Sequence, residues 1–286
     1  MRLRSVDLEI PDVGQAGDFL SGVWGLFAAG KSKDTQFFRG TGSLPYILSI
    51  TKASSPAVSA ITFSGGTDEV EAVGQRNGMK NLVSYDVPGG GKGLEIRGPE
   101  AQTYRFIIES SPPAPLPAER DKPIQLSHAV LNSADQEASE RFAVEKLGFA
   151  VSDRTAHMRF VRCNRKHHCV AYAKSASPSL NHIAFEMKDV DAVMRGITRM
   201  REAGYESVWG PGRHGPGNNV FGYFIAPYGG VIEYTAEVSE VGDDYKVGTP
   251  EDWKWPPGRI DHWGLSKKDT AKTGPAEQML RFRATS

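Results

Sequence analysis

Residues His167–Glu186, HHCVAYAKSASPSLNHIAFE, combine a histidine pair, a short polar loop and a third histidine that enters an alternating run. Ile183, Phe185 and Met187 alternate with His182, Ala184 and Glu186. Period two marks a β-strand with one buried face. The apolar face needs a helix beneath it. The other face carries an imidazole, a methyl and a carboxylate, and so borders a cavity or water. Taken alone, such a histidine is most simply a structural residue with a satisfied hydrogen bond.

Two more strand-like segments change its meaning. In Ile124–Leu131, IQLSHAVL, His128 shares a face with Leu126 and Val130. In Gly229–Val238, GGVIEYTAEV, the apolar face is Ile232, Tyr234, Ala236 and Val238, and Glu233 points the other way with Val231 and Thr235. Two histidines and one carboxylate, each on its own strand, form the ligand set of a non-haem Fe(II) centre that keeps positions open for substrate and O₂.

The 286 residues suffice for one large or two small domains, and 39% hydrophobic with 24% charged residues is ordinary for a globular chain. The formal net charge is zero, which gives no reason to expect a nucleic acid or an anionic membrane as partner. No apolar run is long enough to span a bilayer, and MRLRSVDLEIPD goes straight into a strand pattern rather than a signal peptide. Cys163 and Cys169 read as reduced thiols of a cytoplasmic protein.

Along the chain, Leu3–Ile10 reads as a strand and Asp12–Leu26 as a helix capped by Asp12. Strands follow over Phe37–Thr51 and Ala57–Phe63, then a helix capped by Thr67 or Asp68, then strands at Leu82–Val87, Gly93–Ile96 and Gln102–Glu109. The cluster PGGGKG, Pro88–Gly93, lacks the flanking pattern of a phosphate loop and reads as a hairpin turn. Four prolines in Ser110–Glu119 make a stiff connector, which divides the chain into residues 1–118 and 119–286.

The second part repeats the first. IQLSHAVLNSADQEASERFAVEKLGF answers LRSVDLEIPDVGQAGDFLSGVWGLF, with Asp135 opposite Asp12; NHIAFEMKDVDAV answers SAITFSGGTDEVEAV. On these anchors Ser5, Ala60 and Arg105 stand opposite His128, His182 and Glu233. The candidate ligands belong to one copy only, which places the site in the C-terminal part.

With these residues in hand, the chain resembles the two-domain type I extradiol ring-cleavage dioxygenases, the group of the 2,3-dihydroxybiphenyl 1,2-dioxygenases and catechol 2,3-dioxygenases. They belong to the vicinal oxygen chelate (glyoxalase/bleomycin resistance/dioxygenase) superfamily. The resemblance covers nearly the whole chain and is strongest from Leu126 to Glu237. It implies an α+β fold of tandem βαβββ modules in two open barrels, an N-terminal domain without metal, and a C-terminal metal-binding domain. It matches the family's metal ligands to His128, His182 and Glu233, with Fe(II) as the metal and Mn(II) in a minority. RCNRKHHCVAYA corresponds to the family's strand–turn–strand whose second histidine, here His168, is the acid–base residue. GRHGPGNNVFGYFIAP supplies His214 and Tyr223 against substrate, with Tyr223 ten residues before Glu233.

The implied activity is extradiol cleavage of a catechol by O₂ in aromatic catabolism. The implied partners are a catecholic small molecule, O₂ and further copies of the chain in a homo-oligomer, with neither nucleic acid nor membrane. The tail, DDYKVGTPEDWKWPPGRIDHWGLS, is expected to wall the pocket. Strand alternation puts His167 on the face opposite His168, in a structural place. Three alternatives stay open. One is a glyoxalase-like metalloisomerase, and one is a non-catalytic binding module related to bleomycin-resistance proteins. The third is a zinc cluster of Cys163, His167, His168 and Cys169, against which strand alternation argues.

Overall fold

A computed structural model describes residues 1–109, 112–117 and 121–283. Four units of strand, helix and three strands follow one another. The first is β1 (Arg2–Ile10), α1 (Val13–Asp18), β2 (Phe27–Lys31), β3 (Thr35–Arg39) and β4 (Leu48–Lys52). The second is β5 (Ala57–Gly65), α2 (Thr67–Arg76), β6 (Val83–Ser84), β7 (Lys92–Arg97) and β8 (Thr103–Ile108). The third is β9 (Gln125–Ser133), α3 (Gln136–Phe142), β10 (Ala150–Arg154), β11 (Met158–Arg162) and β12 (Val170–Lys174). The fourth is β13 (Ser179–Glu186), α4 (Val190–Glu202), β14 (Trp209–Arg213), β15 (Val220–Ile225) and β16 (Val231–Ala236). A tail adds α5 (Thr270–Ala276) and β17 (Leu280–Phe282).

Local chemistry explains the repeated starts and stops. Asp12, Asp135 and Asp189 cap α1, α3 and α4, their Oδ1 atoms accepting the backbone N–H of Gln15, Ala138 and Ala192 at 2.9, 2.9 and 2.7 Å. Both α1 and α3 run on into a π-helical turn, Phe19–Trp24 and Ala143–Leu147. Each turn ends at a glycine in the left-handed region, Gly25 (φ 94°) and Gly148 (φ 76°), where a side chain would be strained. The cap of α2 is Gly66 rather than Thr67 or Asp68, and Glu69 accepts its N–H at 2.9 Å. PGGGKG is a turn: Gly90 donates to the Val87 carbonyl at 2.7 Å, and Arg4 Nη2 donates to the Pro88 carbonyl at 2.7 Å.

Each unit's first strand pairs parallel with its last, and the first strands of neighbouring units, β1 with β5 and β9 with β13, pair antiparallel. β17 pairs with both β13 and β5, so the tail joins the sheet of one half to that of the other. The strands of the described residues form one open mixed sheet. Residues 112–117 are pinned to the first half, Leu116 donating to the Thr41 carbonyl at 2.9 Å and Arg39 to the Ala114 carbonyl at 3.0 Å. The boundary expected between residues 118 and 119 lies outside the described residues. No helix among them is long and apolar enough to cross a membrane.

One apolar core runs through both halves. Trp24 stacks on Tyr234 with ring centroids 3.7 Å apart and meets Phe185 edge-on at 5.3 Å. Phe149 in return packs on Phe63 at 5.0 Å. The helical turn of each half thus closes under the sheet of the other. The turn from the opposite half meets Phe185 on the apolar face of β13, while Gly196 of α4, from the same half, lies against Tyr234 and Met187.

Candidate active site

β9, β13 and β16 lie side by side with β13 in the middle. Ala184 pairs with His128 on one flank and Glu233 on the other, while His182 stands two residues along β13 on the same face. The small Ala184 side chain leaves the space between its neighbours open. The ligand atoms of His128, His182 and Glu233 converge within 4.8 Å of one another, all buried, the one such His/Cys/Asp/Glu group among the described residues. Cys163, His167, His168 and Cys169 form no such group, so the zinc-cluster alternative falls.

The pairing departs from simple alternation at two places, one of them at Asn181, an extra residue of β13 between the pairs Leu180–Leu131 and His182–Val130. Between Ala184–His128 and Phe185–Leu126, β9 carries an extra residue, a bulge at Ser127. The bulge turns Leu126 into the core while His128 and Val130 face the cavity, so Leu126 and His128 do not share a face as expected.

Hydrogen bonds set the tautomer of His182. Asn132 Nδ2 donates to the Glu277 carbonyl at 2.6 Å and to Ser179 Oγ at 2.8 Å, which turns Asn132 Oδ1 towards Asn181 Nδ2, at 2.9 Å. Asn181 Oδ1 is then an acceptor facing His182 Nδ1 at 2.8 Å. Nδ1 carries the proton, and the lone pair of Nε2 points to Glu233. His128 Nδ1 similarly meets Ser127 Oγ at 3.0 Å. Glu233 Oε2 lies 3.3 Å from His128 Nε2 and 3.2 Å from His182 Nε2, yet no hydrogen bond satisfies it, although it is fully buried. Its other oxygen is 3.4 Å from Asn219 Nδ2. Burial pushes His182 down and keeps it neutral. An orphaned carboxylate oxygen facing two imidazole nitrogens, each oriented through its other nitrogen, fits a divalent cation.

His128 and His182 line a cavity of about 540 Å³. His168, His214 and Tyr223 line it as well. β15 and β16 form a hairpin through Ala226–Gly230, so the ten-residue spacing makes Tyr223 the direct partner of Glu233. Tyr223 Oη lies 3.0 Å from His214 Nε2 and 3.4 Å from His182 Nε2. Burial, and then Glu233, push the Tyr223 phenol well above its usual value, so it remains a hydrogen-bond donor. His168 packs on His128 with ring centroids 4.3 Å apart, and burial keeps it well below the usual imidazole value. From the tail, Trp255, Ile260 and Lys268 complete the wall, as the tail's composition led us to expect.

The alternation argument made for His167 does not hold. His167 and His168 precede β12, so strand alternation does not apply to them. Both rings are buried, with Nδ1 atoms 3.0 Å apart, and His167 Nε2 lies 2.7 Å from Asp153 Oδ2. Asn132, Asn181, Asn219 and Asp153 carry no sequence signal of their own, because each acts through partners distant in the chain.

In the first half the same registers recur. Ser5 pairs with Thr62 as His128 does with Ala184, Asp7 with Ala60 as Val130 does with His182, and Thr62 with Arg105 as Ala184 does with Glu233. Ser5, Ala60 and Arg105 therefore occupy the three ligand positions, as the repeat predicts. Arg105 Nη1 there pairs with the buried Asp7 Oδ2 at 2.9 Å, and Ser49 Oγ donates to Asp7 Oδ1 at 2.7 Å.

Residues 125–234 match the family described as the Glyoxalase/Bleomycin resistance protein/Dioxygenase superfamily. A crystal structure of the Mn(II)-bound glyoxalase from Novosphingobium aromaticivorans superposes with a TM-score of 0.88 at 30% identity, covering 99% of this chain and 97% of that one. This chain belongs to that superfamily. Among curated superfamily relatives, metapyrocatechase 2 of Cupriavidus necator is 32% identical over 174 residues, 60% of this chain and 46% of that protein. The 2,2',3-trihydroxybiphenyl dioxygenase of Sphingomonas paucimobilis is 30% identical over 126 residues, 41% and 43% of the two chains. The chain thus spans about half the length of these curated superfamily relatives.

Proposed function

We propose that the chain cleaves a catechol ring beside its diol with O₂, at one ferrous ion held by His128, His182 and Glu233. The observation that carries this is the convergence of these three side chains, one with an orphaned oxygen, beside a 540 Å³ cavity lined by His128 and His182 together with His168, His214 and Tyr223. The name of one curated relative, 2,2',3-trihydroxybiphenyl dioxygenase, supports it. We assign residues 1–118 to a domain without metal and 119–286 to the metal-binding domain. The unbridged Cys163 and Cys169 suit a cytoplasmic protein.

When bound, the ferrous ion supplies a route for electron density from a chelating catecholate to O₂ through positions that three protein ligands leave open. The residues of the chain do the rest. His168, kept neutral, takes a catechol hydroxyl proton and returns it as the ring opens. Tyr223 donates to an ionised catechol oxygen, and His214 orients the Tyr223 hydroxyl. The apolar wall of Val130, Phe160 and Trp209 packs the ring and limits water. Both oxygen atoms of O₂ end in a hydroxymuconic semialdehyde-type product.

The test is O₂ uptake by the iron-loaded chain with a panel of mono- and bicyclic catechols. We expect one O₂ per catechol and a yellow ring-opened product. The full-length likeness to a Mn(II)-bound glyoxalase favours a second reading, a metalloisomerase. That enzyme would consume no O₂ with any catechol while still converting an isomerase substrate when loaded with Mn(II).

A further inference from the structure

Behind His168 lies a chain of buried polar groups that metal and substrate contacts leave unexplained. His167 is 1% and Asp153 0% exposed. Asp153 Oδ1 accepts the Gly248 N–H at 2.7 Å. The Tyr245 hydroxyl lies 3.2 Å from Asp153 Oδ2, and His167 Nε2 lies 2.7 Å from that oxygen. Three donors converge on Asp153, so it acts as an acceptor and His167 carries its proton on Nε2. His167 Nδ1 is then bare and accepts from His168 Nδ1, 3.0 Å away. Both nitrogens of His167 are used, and one nitrogen of His168 remains for the cavity.

The backbone at Gly217 fits closely against the paired rings. Gly217 sits at φ +79°, and a Cβ there would stand 3.0 Å from His168 Cε1 and 3.2 Å from His167 Nδ1, so the rings would have to give by a few tenths of an ångström.

We propose that Asp153 and His167 are positioning residues that hold His168 as the Nδ1–H tautomer, with the lone pair of Nε2 presented to the cavity. The role in turnover rests on the ring-cleavage reading; the tautomer does not. A base that removes a hydroxyl proton needs that lone pair, and a ring flip or the other tautomer would present a C–H or an N–H instead.

Asp153→Asn inverts the pattern. Gly248 keeps Oδ1 as acceptor, so the Asn Nδ2 faces His167 Nε2 and can only donate. His167 must then carry its proton on Nδ1, which makes His168 Nδ1 an acceptor and Nε2 a donor. The experiment is a two-dimensional ¹H–¹⁵N spectrum of the metal-free full chain with ¹⁵N-labelled histidines, together with metal content and O₂ uptake of the loaded chain. We expect His167 as Nε2–H and His168 as Nδ1–H, both exchanged in Asp153→Asn. Turnover should fall by about 10²–10⁴ at unchanged metal content, with Asp153→Glu, which restores an acceptor, recovering part of it. A wild-type His168 protonated on Nε2 overturns the proposal, and this spectrum decides even if Asp153→Asn is insoluble. Inverted tautomers with full turnover overturn the positioning role. Wild-type tautomers as proposed, with no catechol cleaved by any variant, sink the ring-cleavage reading and leave the tautomer assignment standing.

Discussion

At the residue scale the candidate metal site depends on amides as much as on its three metal-facing side chains. Asn132 and Asn181 relay the Glu277 carbonyl to His182 Nδ1, and without that relay His182 is free to rotate or to place its proton on Nε2. Asn181→Leu removes the acceptor while filling similar volume. It should weaken Fe(II) or Mn(II) binding by about 10–100-fold, the usual effect of losing a hydrogen bond behind a ligand. Competition with a calibrated chelator measures this; unchanged affinity would detach the amide relay from the site. His128, His182 and Glu233 could be singled out in the sequence because each breaks an apolar strand pattern. The two asparagines could not, since Asn is common in polar loops and strand ends and neither position shows what faces it.

At the scale of elements, the decisive contact is the helical turn Phe19–Trp24 under β13, β15 and β16. Trp24 is fully buried, stacks on Tyr234, and receives at its carbonyl both the Tyr234 hydroxyl, at 2.6 Å, and Arg199 Nη2, at 3.1 Å. Trp24→Ala should cost about 3–5 kcal/mol, read as a lower denaturant midpoint at unchanged slope. Because β13 and β16 carry His182 and Glu233, the same variant should also lose metal at a lower denaturant concentration than the parent chain. Full metal retention up to the parent's midpoint would show that the first half does not support the site. Strand and helix order was largely legible, because period two and Asp caps are local signals. β2 and β10 were not foreseen: their exposure patterns are mixed and show no clean alternation.

For the whole molecule, the tail contributes Trp255, Ile260 and Lys268 to the cavity wall, and we expect it to influence what the cavity admits. Trp255 packs so closely on Gly215 that a Cβ at Gly215 would lie 2.0 Å from the indole ring. Removing the indole in Trp255→Ala opens the wall away from His128, His182 and Glu233. Metal content should hold while KM for a bicyclic catechol rises by about 10-fold or more, as expected for losing a large buried aromatic contact, and KM for unsubstituted catechol changes little. Equal changes for both substrates, or loss of metal, would remove the tail from substrate selection.

The sequence by itself determined most of the strands, the internal repeat and the half that holds the candidate ligands, and its resemblance to a known family pointed to the superfamily. Each of these is written in side-chain periodicity or in residue types at matched positions, and a strand's two faces follow from backbone geometry alone. Tertiary structure decided what depends on register and on distant partners. The bulge at Ser127 aims His128 away from Leu126, and parallel pairing sets Glu233 across Ala184 from His128. The asparagine relay fixes His182, and Asp153 reaches His167 across a hairpin to orient His168. A one-residue slip in any of these pairings would leave the sequence pattern unchanged and turn the side chain to the other face.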